Sequence, residues 1–344
     1  MIIVDSHTHI QNINESFAPL YTLAEFLHYG QLTIQSLQCT GDLLQNTACA
    51  LCKSMHAETT YAFGGLDYLT GRDYLTQVKN LREMGFDGMK MLEGKPTTRA
   101  MLGKALDDPS YDAYYDYLEA TAFPVLFHVA DPPEFWDREK IPHWAVEHGW
   151  FYDETHVPYV QYYEEVERVL NKHPQLRAIF AHFYFLSDAP ACAQKFLDDH
   201  PLVSIDVTAG IEMYENFSRD SAFWREFFVK NNRRIIFGTD SSDTIDLSDD
   251  TASNGRVNIS GYAAMEIEFL RFDKDIEIFG KKLHGLGLPP NALERIFAKN
   301  YHKYVGEKPR LMDIDAVKTE ASFIRGFLKK GEDVQMLDHL ISQL

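Results

Sequence analysis

The residues of this chain best suited to chemistry are histidines and carboxylates in short, spaced groups. His7-Thr8-His9 sets two imidazoles two residues apart. Side chains at that spacing share one face of a strand, so the pair can chelate one cation through neutral ring nitrogens. Alone, the pattern is a weak signal and more often marks a pair of surface histidines. Three more residues stand in comparable settings: His128 in Leu126-Phe127-His128, His182 in Phe180-Ala181-His182-Phe183, and Asp240 in Phe237-Gly238-Thr239-Asp240. Each ends a short apolar run, and four run ends of this kind are hard to reconcile with chance surface placement.

The residue types allow a definite range of roles. Asp240 can bind a divalent cation and can accept a proton from water that the cation polarises. It can also cap a helix, although Ser241, Ser242 and Asp243 follow and can cap instead. His182 suits a metal ligand, a hydrogen-bond donor to a substrate oxygen, or a satisfied core histidine. Lys90, in Gly88-Met89-Lys90-Met91-Leu92, offers three readings. Carboxylated on Nζ it would bridge a second metal, as an ammonium it would sit beside the substrate, and otherwise its stem runs out to solvent. Asp206 and Trp136 are candidates for contact with substrate. Cys49 and Cys52 share a C-x-x-C spacing with no second pair and fall mid-helix, so they read as core.

What must position these residues is a set of eight β-rich runs separated by polar, helix-like stretches: 2–7, 32–38, 61–66, 88–92, 125–129, 178–182, 202–207 and 235–240. Strands alternating with helices imply parallel βαβ units, and eight of them imply a closed (β/α)8 TIM barrel. Along 202–208, Ser204, Asp206 and Thr208 share one face and Val203, Ile205 and Val207 the other. The polar groups therefore collect at the C-terminal strand ends, where such barrels hold their sites. Two connections are longer than a barrel needs: 131–160, rich in Pro and aromatics, after strand 5, and 241–260, rich in Asp, Ser and Asn, after strand 8. Loops of this length are often lids or binding loops. The division is a barrel domain over 1–306 and a helical tail over 307–344. The tail carries Phe323, Phe327 and Leu328 and packs on the barrel or on the partner subunit of a homo-oligomer.

Composition narrows the setting. The 344 residues carry a net charge of −18 and are 45% hydrophobic. That charge disfavours nucleic acid and anionic membrane surfaces as partners and leaves a small-molecule substrate. No apolar run approaches a membrane span, and the first residues lack the pattern of a secretory signal. Four cysteines are too few for a disulfide framework, so a cytoplasmic location is expected.

Together these motifs resemble the amidohydrolase superfamily, and specifically its amidohydrolase-2 branch. Val4-Asp5-Ser6-His7-Thr8-His9 is similar to that branch's opening motif, Phe237-Gly238-Thr239-Asp240 to its closing one, and Asn291 to Tyr304, with Ile296, Asn300 and Tyr301, to its terminal helix. The resemblance implies one divalent metal, zinc or manganese, held by His7, His9, His128 and Asp240, with Asp240 doubling as base and His182 beside it. It implies hydrolysis of an amide, ester or lactone in a small molecule. The alternative is non-oxidative decarboxylation of a small aromatic carboxylic acid; an inactive ligand-binding barrel fits an intact ligand set less well. Glu93 and Lys95 suggest a wet, charged loop around Lys90, which favours an unmodified lysine and a single metal.

Overall fold

The computed structural model describes residues 1–13, 17–208, 210–244, 259–278, 280–329 and 331–344. Nine strands form one curled sheet: β1 (Val4–His9), β2 (Gln31–Gln35), β3 (Thr60–Gly65), β4 (Gly88–Gly94), β5 (Val125–Val129), β6 (Ala178–Phe180), β7 (Ser204–Asp206), β8 (Ile235–Ile236) and β9 (Ser241–Ser242). Their order is β8-β7-β6-β5-β4-β3-β2-β1-β9. Neighbouring strands pair in parallel throughout. The eight sequence runs all carry strands: the fifth matches at both ends, and the others differ at one or both ends by up to four residues.

Two departures from the expected strands shape the site, those of the sixth and the eighth. The eighth run does not stay extended to Asp240: β8 stops after Ile236, and the chain resumes pairing at β9 on β1. The link between them lies against β1, since Ser6 N donates to Phe237 O at 3.2 Å and Asp240 N to His7 O at 2.8 Å. Gly238 permits that approach; a Cβ there would stand 2.9 Å from His7 Cβ and 3.0 Å from Ser6 Oγ. Asp240 itself is left-handed, with φ 58°, a conformation that Asp and Asn tolerate better than other non-glycine residues. Residues 235–242 therefore join the two ends of the sheet. The sixth run ends at Phe180, and the residues that follow turn sharply, as described below.

Packing assigns the two ends of the sheet different tasks. Val4, Tyr61, Phe63, Leu126, Ile179 and Ile236 cluster with Ala298 and Tyr301. Leu126, Ile179 and Ile236 precede His128, His182 and Asp240 by two to four residues, so this apolar plug fills the N-terminal end and leaves the polar residues at the other. Asn300 Nδ2 donates to the Asn232 and Ile235 carbonyls at 2.7 Å each, fixing the start of β8. Around the sheet, helices such as Tyr159–Lys172 bury one stripe, here Tyr162, Val166, Val169 and Leu170, at the spacing of an amphipathic helix.

The segment after strand 5 folds on itself. It contains a turn at Pro133–Trp136 and a helix at His143–Glu147, around a small core of Phe135, Ala145 and Tyr152. Of the other long connection, 241–260, residues 245–258 lie outside the described residues. A hairpin of β10 (Asp275–Ile278) and β11 (Lys281–His284) was not foreseen. In the tail, helices Ile314–Arg325 and Gly331–Gln343 lie against the flank of the same barrel. Arg310 N donates to Asp87 Oδ1 at 2.9 Å and Asp313 N to Met84 O at 2.9 Å, while Arg72 Nη1 meets both Glu320 oxygens at 2.6 Å. Among the described residues, no helix is long and apolar enough to cross a membrane. All four cysteines are unpaired.

Candidate functional site

The end of β1 builds the centre of the site. His7 Nε2 and His9 Nε2 face each other at 3.2 Å. Asp240 Oδ1 lies 3.0 Å from His9 Nε2 and 3.5 Å from His7 Nε2. One donor atom from each of the three falls within 4.8 Å of the others. The opposite ring nitrogens are fixed by the protein. His7 Nδ1 lies 3.1 Å from Asp206 Oδ2 and 3.2 Å from Thr208 Oγ1, and His9 Nδ1 lies 3.0 Å from the Gln35 carbonyl. A ring N–H held by an acceptor leaves the far nitrogen as a lone pair, the arrangement found behind metal-binding histidines. Gln35 is itself pinned, donating from Nε2 to Ser6 O at 2.8 Å.

Electrostatics prepare the same state. Burial, reinforced by the Lys90 ammonium, pushes His7 down to about 3, so its ring is neutral. Burial would raise the Asp240 carboxyl, but His7 and His9 outweigh it and hold the group well below the usual carboxylate range. Its side chain keeps 34% of its surface accessible, so this anion remains reachable. Two inward imidazole nitrogens and one accessible carboxylate suit a divalent cation of the zinc or manganese kind.

Other candidates fall into place around this group or apart from it. Lys90 Nζ stands 2.9 Å from His7 Nε2. The expected wet loop around it is absent: Lys90 is 1% and Glu93 0% exposed. Burial draws Lys90 down to about 8 and lifts Glu93 to about 7. β4 runs two residues further than the expected strand, and Tyr68 Oη covers Glu93 with a 2.8 Å hydrogen bond.

His128, an expected ligand, is set apart from the three. Its Nδ1 lies 3.1 Å from His182 Nε2 and its Nε2 3.2 Å from Asp131 Oδ1, so both nitrogens face protein groups. Asp206, expected at the substrate, is fully buried. Besides His7 it receives His182 N at 2.8 Å and Thr208 N at 3.1 Å, together with the Thr208 hydroxyl. It braces the site from behind.

His182 is delivered by an unusual turn. Residues His182 to Phe185 all have positive φ, between 49° and 57°. Left-handed backbone costs roughly 1–2 kcal/mol per non-glycine residue and persists where surrounding structure over-determines it. Here Asp206 holds the His182 amide, and Phe183 packs among Phe217, Trp224, Phe227 and Phe228. The turn brings the His182 ring to 5.7 Å from His7 and 4.7 Å from His128, centroid to centroid, and stacks Phe185 on it at 5.2 Å.

A cavity of about 630 Å³ opens at His182, walled by Phe135, Trp144, Phe185 and Met213 with Glu212 and Arg219. Trp136, the residue expected to meet substrate, is not among the lining residues. Its Nε1 donates to Val157 O at 3.1 Å, and its ring packs on Tyr152, Tyr159 and Tyr162, so it anchors the loop whose Trp144 and Phe135 form the wall.

Several contributors escaped the sequence reading. Asp5 lies inside the quoted opening motif yet touches no donor atom of the site. It accepts from Thr239 N at 3.1 Å, Thr239 Oγ1 at 2.6 Å and His7 N at 3.2 Å, clamping the closing motif to the opening one. Burial raises it to about 7. Gln35, Asp131 and Tyr152 were also missed, although Asp131, three residues past His128, carried a local cue; Thr208 was read only as part of an inward strand face and Lys95 only as part of a charged loop.

Comparison with known proteins adds the following. An amidohydrolase family model matches residues 30–300. An uncharacterized TIM-barrel protein from Bordetella bronchiseptica is similar at 12% identity with a TM-score of 0.57, covering 88% of this chain and 98% of that one. 4-Oxalomesaconate hydratase from Rhodopseudomonas palustris is similar at 11% identity with a TM-score of 0.56, covering 88% and 95%. 2,6-Dihydroxybenzoate decarboxylase from Rhizobium is similar at 12% identity with a TM-score of 0.54, covering 89% and 98%. No curated protein matches. At these identities the likeness speaks for the shared TIM-barrel fold.

Proposed function

Because this chain belongs to the amidohydrolase family, we propose that it is a metal-dependent hydrolase cleaving an amide, ester or lactone bond in a small molecule. The observation that carries this reading is the convergence of His7, His9 and Asp240 within 4.8 Å, with both histidines turned lone pair inward. These three would hold one zinc ion, or manganese in its place. When bound there, the cation supplies Lewis acidity toward water or a substrate oxygen. Asp240, anionic and accessible, accepts the proton released by the attacking water. His182, on the lining of the cavity, directs its ring toward the substrate, and the aromatic wall from Phe135 and Trp144 excludes bulk water. Lys90, unmodified, places its cation beside His7 and balances the local carboxylates.

A second reading, decarboxylation of a small aromatic acid, is favoured by the fold shared with the dihydroxybenzoate decarboxylase and uses the same residues. Metal analysis of the purified protein and of His7→Ala/His9→Ala tests the site. The wild type is expected to retain a transition metal and the double variant to lose both metal and turnover. Full occupancy in the double variant refutes the assignment. Assay of amide, ester and lactone panels, with carbon dioxide release measured on aromatic acids, separates the two reactions.

A further inference from the structure

Asp131 sits just past β5, after Ala130 takes a left-handed conformation with φ 63°. Its carboxyl is 4% exposed, yet it has a full set of donors. Lys95 Nζ lies 2.7 Å from Oδ1 and 2.9 Å from Oδ2. Tyr152 Oη donates to Oδ2 at 2.6 Å, and His128 Nε2 lies 3.2 Å from Oδ1. An ammonium shared by both oxygens keeps this carboxyl ionised. Burial opposes that, but Lys95 and His128 outweigh it and hold the group far below the ordinary range.

The protons along this line then have one arrangement. An ionised carboxylate only accepts, so the hydrogen between Asp131 and His128 belongs to Nε2. The His128 ring is buried, and the carboxylate beside it is already balanced by Lys95 through both oxygens, so a second cation there would be left uncompensated; the ring is neutral and its Nδ1 is a lone pair. His182 Nε2, 3.1 Å away, must carry the hydrogen of that contact.

We propose that Asp131 is a positioning residue that fixes His128 as its Nε2–H tautomer, and through it makes His182 Nε2 the donor, so that His128 turns Nδ1 toward the site. The same carboxylate holds Tyr152 and Lys95, and Lys95 Nζ lies 4.3 Å from the Trp150 ring centroid. Tyr152 and Trp150 belong to the segment that also supplies Phe135 and Trp144 to the cavity wall. One carboxylate thereby sets both the histidine pair and the seat of the loop over it. The inference rests on the proposed function only for what the histidines do during turnover.

The test reads the tautomer directly. Full-length protein carrying ¹⁵N-labelled histidine is examined by long-range ¹H–¹⁵N correlation at neutral pH, with His128 assigned by its loss in His128→Gln. His128 of the wild type is expected to show a protonated Nε2 and an unprotonated Nδ1. The reverse pattern overturns the proposal whatever any variant does. Asp131→Ala with Lys95→Met removes the acceptor without stranding a buried ammonium. It should leave His128 a mixture of tautomers and lower kcat roughly ten- to a hundredfold with KM and metal content little changed. Tyr152→Phe should leave the tautomer as in the wild type. A pure Nε2–H signal persisting in the double variant shows that something else sets the tautomer and sinks the idea. Absence of metal from the wild type would count against the proposed hydrolase and leave the tautomer result standing.

Discussion

Asp240→Asn offers the sharpest separation of chemistry from stability at this site. Position 240 has φ 58°, where Asn is accepted almost as readily as Asp, so the replacement adds no backbone strain; alanine would. The backbone bond from residue 240 to His7 O, 2.8 Å long, is unaffected. The new amide can donate to His9 Nε2, 3.0 Å from the present Oδ1. Stability should therefore stay within about 1 kcal/mol of the wild type, the scale of a single exchanged hydrogen bond. The loss of an anionic proton acceptor is a different matter. General base catalysis contributes about 10²–10⁴-fold, or roughly 3–5 kcal/mol of transition-state stabilisation, and a weakened metal site adds to that. The assay is turnover of whichever amide, ester or lactone the wild type cleaves fastest, run beside urea unfolding and metal analysis. A folded, metal-containing Asn variant turning over near the wild-type rate would refute the role given to Asp240.

Three further outcomes follow from the packing. Glu93 has its folded value lifted from 4.5 to about 7 by burial, so it binds its proton more tightly when folded. Its contribution to stability is complete below pH 4.5 and is lost as pH rises through 7, about 3 kcal/mol in all at roughly 1.4 kcal/mol per pH unit. Glu93→Gln should narrow the stability difference between pH 5 and pH 8 by about 2–3 kcal/mol in urea titrations; an unchanged difference would show that Glu93 stays ionised. Gly238→Ala forces a methyl to 2.9 Å from His7 Cβ and should cost about 1–3 kcal/mol and weaken metal binding, whereas undiminished metal affinity would mean the contact between β1 and the link from β8 to β9 relaxes freely. Trp144, 47% exposed on the cavity wall, should raise KM or change substrate preference on replacement by Ala while metal content holds, and unaltered kinetics would place the substrate elsewhere.

The sequence by itself determined a good deal. Alternating β-rich runs and helical stretches specify parallel βαβ units, because a strand's period of two and a helix's 3.6 are written in the order of apolar residues. Strand polarity then sends every residue at a run's C-terminal end to one rim, so His7, His9, His182 and Asp240 were legible as neighbours although up to 233 positions separate them. The motif spacing sufficed for the pair on β1, since i and i+2 share a face in any strand.

What tertiary structure decided are the matters that depend on contacts between strands. Nothing local marks Asp206 as the brace behind His7, because the 3.1 Å contact spans 199 residues; an inward carboxylate looks the same whether it faces substrate or another side chain. Lys90 and Glu93 carry charge, and charge in a sequence suggests water, but the layers packed over β4 removed the water and shifted both groups. Trp136 and Trp144 are eight residues apart in one aromatic loop, and only the fold of that loop on Phe135, Ala145 and Tyr152 placed one as anchor and the other on the cavity wall. The left-handed turn after β6 was equally invisible: local preference opposes it at every residue, and it exists because Asp206 and the aromatic cluster around Phe183 hold it from outside. Residue type and spacing chose which groups meet at the rim; burial and long-range hydrogen bonds chose which nitrogen, which oxygen and which protonation state each one presents there.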